Sequence, residues 1–267
     1  MLEVLIGFFG GILIGATGAG AGLLISPLLI LAGYRPAVAV GTGLGVLVAS
    51  KLVGSVAHYR LGHWPGGRAW QLLAGGAGGV VLTWMLAKIF FPHPSVAMDF
   101  WVRRSMACAL LALPLFFFIS ARKGRGSSGH PGTSPEPERH SPTAPVLVSA
   151  GQPAALFAVG MAVGAPVLVT SLGSGSILAP ALLLVTDWEV PQLAAVSNWF
   201  GLVVGVLSVA AHLQMGNLQV GSFGKLGLGI VPGVALGAWL SRKIPRASFV
   251  YGMSAAALFL GARLLFG

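Results

Sequence analysis

Among the runs of this chain that contain no Asp, Glu, Lys or Arg are residues 4–34 and residues 141–186. Each exceeds the roughly 20 apolar residues with which an α-helix crosses a bilayer core of about 30 Å. Each is also interrupted midway by small residues. The first break is Gly18-Ala19-Gly20-Ala21-Gly22, the second Ser171-Leu172-Gly173-Ser174-Gly175-Ser176, and a proline follows each, Pro27 or Pro180. Each stretch therefore reads as two helices, or two half-helices, meeting at an unwound point. The rest of the chain agrees. Charged residues are 8% of the total, against about 25% in ordinary globular proteins, and 55% of residues are hydrophobic. So few charges cannot clothe a soluble surface. The same numbers exclude disorder, the lone Cys108 excludes a disulfide scaffold, and glycines without a period of three exclude collagen. The fold class is an all-α polytopic membrane protein.

A net charge of +10 raises nucleic acid as a partner, but the placement of the cations argues against it. Arg60, Arg68, Lys88, Arg103, Arg104, Arg122, Lys123, Arg242, Lys243 and Arg246 stand at the ends of apolar runs. There they meet anionic lipid headgroups. Membrane lipids are thus expected partners and nucleic acid is not. Met1-Leu2-Glu3 lacks the basic start of a cleaved signal peptide, so the first apolar stretch is expected to stay as an anchor.

The organisation is duplicated. At an offset of 153, Gly7, Gly11, Gly20, Gly22 and Pro27 fall on Gly160, Gly164, Gly173, Gly175 and Pro180. At 154, His58 and Gly62 fall on His212 and Gly216; at 155, Gly78, Trp84 and Lys88 fall on Gly233, Trp239 and Lys243. A drift of two residues over this distance predicts two homologous repeats of 4–5 transmembrane segments each, 1–120 and 151–267. Between them, 121–150 is rich in Pro, Gly and Ser and reads as a flexible linker. Four segments per repeat would make the halves parallel, five would invert them. Lys and Arg divide 8 to 7 between the two sides in the parallel case and 9 to 6 in the inverted one, so positive-inside counting leans to inversion, with a cytoplasmic linker.

Paired breaks in the membrane suit a transporter, because unpaired backbone is tolerated there only where it lines a cavity, and half-helix N-termini aim N–H groups at anions. Gly20, Gly22, Gly173 and Gly175 would let a ligand reach the main chain, with Ser174, Ser171 and Ser26 adding hydroxyls. The alternative use of such glycines is close helix packing, expected for Gly7-xxx-Gly11-xxx-Gly15 and Gly229-xxx-Gly233-xxx-Gly237. These faces also make a homo-oligomer an expected possibility. After each break comes a polar patch, Thr42 and Lys51 in one half, Ser197 and Asn198 in the other. Donors without neighbouring carboxylates suit an oxyanion. The predicted substrate-binding set is Gly20, Gly22, Thr42, Lys51, Gly173, Ser174, Gly175, Ser197 and Asn198. For Lys51 the alternative is snorkelling to the interface, and His58 and His212 are either proton carriers or interfacial residues bonded to carbonyls. No enzyme motif is complete. A Ser174–His212 dyad lacks its GxSG context because position 172 is Leu. No catalytic residue, cofactor or metal is expected.

The Gly-rich break, Pro27-Leu28-Leu29, Ala39-Val40-Gly41-Thr42 and the run His58-Tyr59-Arg60-Leu61-Gly62-His63-Trp64 together resemble the TauE/SafE family of sulfite exporters and 4-toluene sulfonate uptake permeases. The second half repeats the order with Gly173 to Pro180, Ala195-Val196-Ser197 and His212 to Gly216. The resemblance implies transport of sulfite, sulfonates or related organosulfur anions across the bacterial inner membrane. The expected activity is secondary transport by alternating access between the repeats. The alternatives are a passive anion channel on the same scaffold and, further off, an intramembrane hydrolase.

Overall fold

The computed structural model describes residues 1–17, 23–60, 66–91, 95–124, 153–172, 175, 177–186, 188, 190–240 and 246–267. Among these there are ten helices and no strand. They are α1 (Leu2–Thr17), α2 (Ile25–Leu31), α3 (Pro36–Arg60), α4 (Ala69–Phe90), α5 (Val96–Gly124), α6 (Pro153–Thr170), α7 (Leu178–Val185), α8 (Val190–Gln214), α9 (Val220–Leu240) and α10 (Arg246–Phe266). Each charge-free stretch is thus two helices, α1 with α2 and α6 with α7. Pro27 and Pro180 sit in the first turns of α2 and α7, where a missing N–H costs nothing. With 7 and 8 residues, these two helices are about 10–12 Å long and reach only part way through a bilayer. Five helices among the described residues, in α3, α4, α6, α8 and α9, are long and apolar enough to cross one.

Helix directions follow from contacts. Just beyond α2, the Tyr34 hydroxyl donates to the Glu3 carboxylate at 3.0 Å and lies 3.0 Å from the Ser222 hydroxyl of α9. The α1–α2 hairpin therefore returns the chain to the level at which it began. From there α3 crosses to the opposite end, its start clasped by Asp99 of α5. Asp99 accepts from the Ala37 backbone N–H at 3.1 Å and pairs with Arg35 at 2.9 Å. Down the middle of the bundle α3 and α8 run antiparallel. Gly41 of α3 faces His212 and Asn217, Gly201 of α8 faces Lys51, and Gly54 faces Asn198.

Two parallel pairs flank this seam, and glycine makes both. In α4–α6, Gly75 lies on the Phe157 carbonyl, Gly160 on the Leu72 carbonyl and Gly164 on the Gly76 carbonyl. In α1–α9, Gly7 lies on the Leu226 carbonyl, Gly15 on that of Val234, and Gly229 on that of Val4. Without Cβ atoms, backbones approach to a distance that larger residues forbid. The GxxxG faces that made a homo-oligomer an expectation are thus occupied within the chain. The remaining pair, α5 and α10, is antiparallel: Arg103 donates to the Leu264 carbonyl at 2.9 Å, and Gly261 packs on Leu111. Met1 and Gly267 consequently lie at one end of the bundle, the terminal end. The residues that flank 125–152 lie at the other, the linker end. Cys108 is exposed on α5, outside the core.

Candidate functional site

The polar interior follows the α3–α8 seam, and two of its groups hold residues of the predicted site. Near its middle, the Ser26 hydroxyl at the start of α2 meets the Ser171 hydroxyl at the end of α6, 2.7 Å apart and fully buried. Ser26, four residues after the first break, and Ser171, the first residue of the second, are thus brought together. Ser26 packs on Gly43 of α3, which has no Cβ in its way. Ser171 is held at φ +55°, a left-handed conformation that non-glycine residues adopt at a cost. Thr170 beside it donates to the Pro166 carbonyl at 2.7 Å and accepts from the Leu172 N–H at 3.2 Å, which fixes the end of α6. Neither α2 nor α7 has a side-chain N-cap, so their first N–H groups have no such partner.

Ser26→Ala is expected to lower the unfolding free energy in detergent by about 1 kcal/mol, the net worth of one buried hydrogen bond. Ser171→Gly loses the same bond but regains the left-handed penalty, so its loss should be smaller. Thermal melts followed by tryptophan fluorescence would decide; a greater loss in the glycine variant would contradict this account.

The second group lies toward the linker end. Lys51 is 7% exposed and its Nζ donates to Asn198 Oδ1 at 3.4 Å. The stem lies in the slot left by Gly201, where a Cβ would stand 2.9 Å from Cε. Asn198 is held in turn by its Nδ2 donating to the Ala194 carbonyl at 3.0 Å. Its neighbour Ser197 is buried, with no hydrogen-bond partner for its hydroxyl among the described residues. Ser55, one turn beyond Lys51 on the same helix face, is buried and without such a partner too. The buried polar side chains of the described residues are hydroxyls, Asn217, His212 and this one ammonium; no carboxylate is among them.

The expected site residues thus divide. Lys51 and Asn198 are joined, Ser197 precedes Asn198 in α8 and is buried, and Lys51 is buried, not snorkelling. Thr42 is buried about 13 Å away along α3, and its hydroxyl hydrogen goes to its own helix, at the Val38 carbonyl, 2.8 Å. Gly175 lies in the turn before α7; Gly20, Gly22, Gly173 and Ser174 fall outside the described residues. His58 is half-buried in the last turn of α3. His212 is deeply buried, its Nε2 bonded to the Leu168 carbonyl at 3.0 Å. Sequence reasoning missed Ser55 and Asn217. A signal existed for each: Ser55 is four residues after Lys51, and Asn217 occupies the position matching His63 at the offset of 154.

Comparison with known proteins agrees with this architecture. The pattern of one family, described as sulfite exporter TauE/SafE, matches residues 3–264. The chain belongs to the TauE/SafE family. This is a family of membrane transporters, and the several apolar helices make the chain a multi-pass membrane protein. A TauE/SafE relative of similar length, the probable membrane transporter protein YjnA of Bacillus subtilis (strain 168), is 24% identical over 262 residues, 98% of each chain. No solved structure matches.

Proposed function

We propose that this TauE/SafE protein is a secondary transporter of sulfur-containing oxyanions (sulfite, sulfonates or related organosulfur anions), working by alternating access between two inverted repeats in a bacterial inner membrane. One observation carries the reading of substrate sign: a buried ammonium, Lys51, bonded to Asn198 in an interior whose described residues hold no buried carboxylate. A buried charge without a counter-ion is costly, and a transported anion supplies the missing partner. The sulfur in the substrate comes from family membership.

The packing supports the repeat. Exchanging α1–α5 with α6–α10 turns the α1–α9 pair into α6–α4 and returns α3–α8 and α5–α10 to themselves. Antiparallel α3 and α8 are what opposed halves require. On this reading the anion meets Lys51, Asn198, Ser197 and Ser55 at one level. At another it meets the N–H groups of the breaks, around Gly20, Gly22, Gly173, Ser174 and Gly175. Rocking of the halves about the seam would open each level in turn, and His58 and His212 are the candidate proton carriers.

The test is uptake of radiolabelled sulfite by proteoliposomes. Saturable flux with counterflow is expected. No flux above empty vesicles for any sulfur oxyanion would refute transport, and conductance far above carrier turnover would make the protein a channel.

A further inference from the structure

Helices α4 and α5 follow each other in the chain but leave a cavity of about 520 Å³ between them, closed behind by α6 and α8. Phe90 of α4 and Trp101 of α5 stand at its mouth, 71% and 61% exposed. Its inner wall holds Leu168 of α6 and His212 of α8, both deeply buried. The lining runs from Thr83 to Phe91 on one side and from Met98 to Ser105 on the other. The cavity therefore extends about 10–12 Å along the helices, from the terminal end toward the middle of the bundle.

This lining has little for a polar ligand. The Thr83 hydroxyl donates to the Gly79 carbonyl at 2.8 Å, and the Ser105 hydroxyl to the Trp101 carbonyl at 2.7 Å, each within its own helix. The neutral His212 ring spends its hydrogen on the Leu168 carbonyl, and its Nδ1 is buried. Apart from the Trp101 indole at the mouth, no lining side chain has a hydrogen to offer. Water is no better suited, because an apolar void stays dry. Left empty, the space would forfeit packing in proportion to its volume, on the scale of a protein's whole margin of stability. The occupant is apolar.

The position of the mouth says which apolar group is at hand. Helix α4 is long and apolar enough to cross a bilayer, and on its outer side Leu82, Leu86 and Ile89 are exposed. The cavity is thus continuous with the surface that the bilayer covers, in the leaflet at the terminal end. A tryptophan at that level suits the boundary between headgroups and chains.

We propose that this cavity is a lipid site, in which the acyl chains of one phospholipid from the terminal-end leaflet fill the space between α4 and α5. The chains pack on Leu168, three residues before Ser171, and so complete the wall behind the second break. The site does not depend on the transport reading above.

Phosphatidylglycerol brominated on its acyl chains tests this, because bromine quenches tryptophan on contact. Titrated into the purified full-length chain in detergent, it should quench fluorescence in a saturable step near one lipid per chain. Trp101→Phe should remove that step, although the chain has seven tryptophans. Ala87→Leu and Ser105→Leu, made separately, each fill part of the cavity. Both should weaken the lipid several-fold and raise the melting temperature of the delipidated chain. Quenching that merely rises with the ratio of lipid to detergent overturns the site. So does a saturable step that survives Trp101→Phe or both leucines. Displacement of the lipid by benzenesulfonate overturns it too, and assigns the cavity to the transported molecule.

Discussion

Lys51→Met should reduce saturable oxyanion flux in proteoliposomes about 100-fold while leaving the chain folded and somewhat more stable. The two effects have one cause. The ammonium is buried with a single long bond among the described residues, 3.4 Å, to Asn198. Its desolvation is therefore poorly offset within the protein, and replacing buried charge with an apolar side chain of similar volume is often neutral or stabilising, by about 1–4 kcal/mol. Methionine has the length and flexibility to fill the slot left by Gly201. The flux loss follows from the missing charge-assisted hydrogen bond to the substrate, worth about 1.5–3 kcal/mol, and tenfold in rate corresponds to about 1.4 kcal/mol. Flux assays and melts on the same preparation check both halves. Unchanged flux would remove Lys51 from the path. Lost flux with lost stability would make it a structural residue.

Gly160→Leu should have the largest effect on folding. A Cβ at this position meets the Leu72 carbonyl oxygen and stands 2.9 Å from the Gly76 backbone nitrogen, so no side-chain rearrangement can admit it. Helices α4 and α6 would have to separate. The cost exceeds the roughly 3 kcal/mol of ordinary overpacking, a large part of a typical margin of stability. Gly224→Ala is the contrast: among the described residues no atom outside its own helix lies within 4 Å of the added Cβ, and alanine favours helix by about 1 kcal/mol. Fluorescence-detected size exclusion of detergent extracts should show a monodisperse peak for the second variant and none for the first. A monodisperse Gly160→Leu protein would mean that the α4–α6 contact is not a keystone of the bundle.

Much of the fold is legible in the residues. Charge-free runs too long for one helix, each with small residues midway and a proline beyond, announce α1–α2 and α6–α7. What a single chain does not announce is which helix packs on which. Glycines at Gly7, Gly11 and Gly15 predict a close neighbour, but nothing in them identifies α9, because a bare backbone accepts any other bare backbone. The site was half visible for a related reason. Lys51 stands out as an ion in an apolar run, and Asn198 as an amide in another. Their bond, however, depends on an antiparallel register set by Gly54 and Gly201, which carry no chemical signature of their own. Ser55 and Asn217 are ordinary polar residues in sequence; burial without partners is what distinguishes them. Asp99 carries no sign in the sequence of its clasp on the start of α3.

The pairing of α1 with α9 also dictates how the chain must be made. Translation proceeds from the N-terminus at about 5–20 residues per second, and α9 begins at Val220. The glycine face of α1 therefore leaves the ribosome roughly 10–45 s before its partner exists. For that interval it must rest against lipid or against the insertion machinery. The first five helices cannot mature as a unit, and the last five supply the surfaces on which they settle.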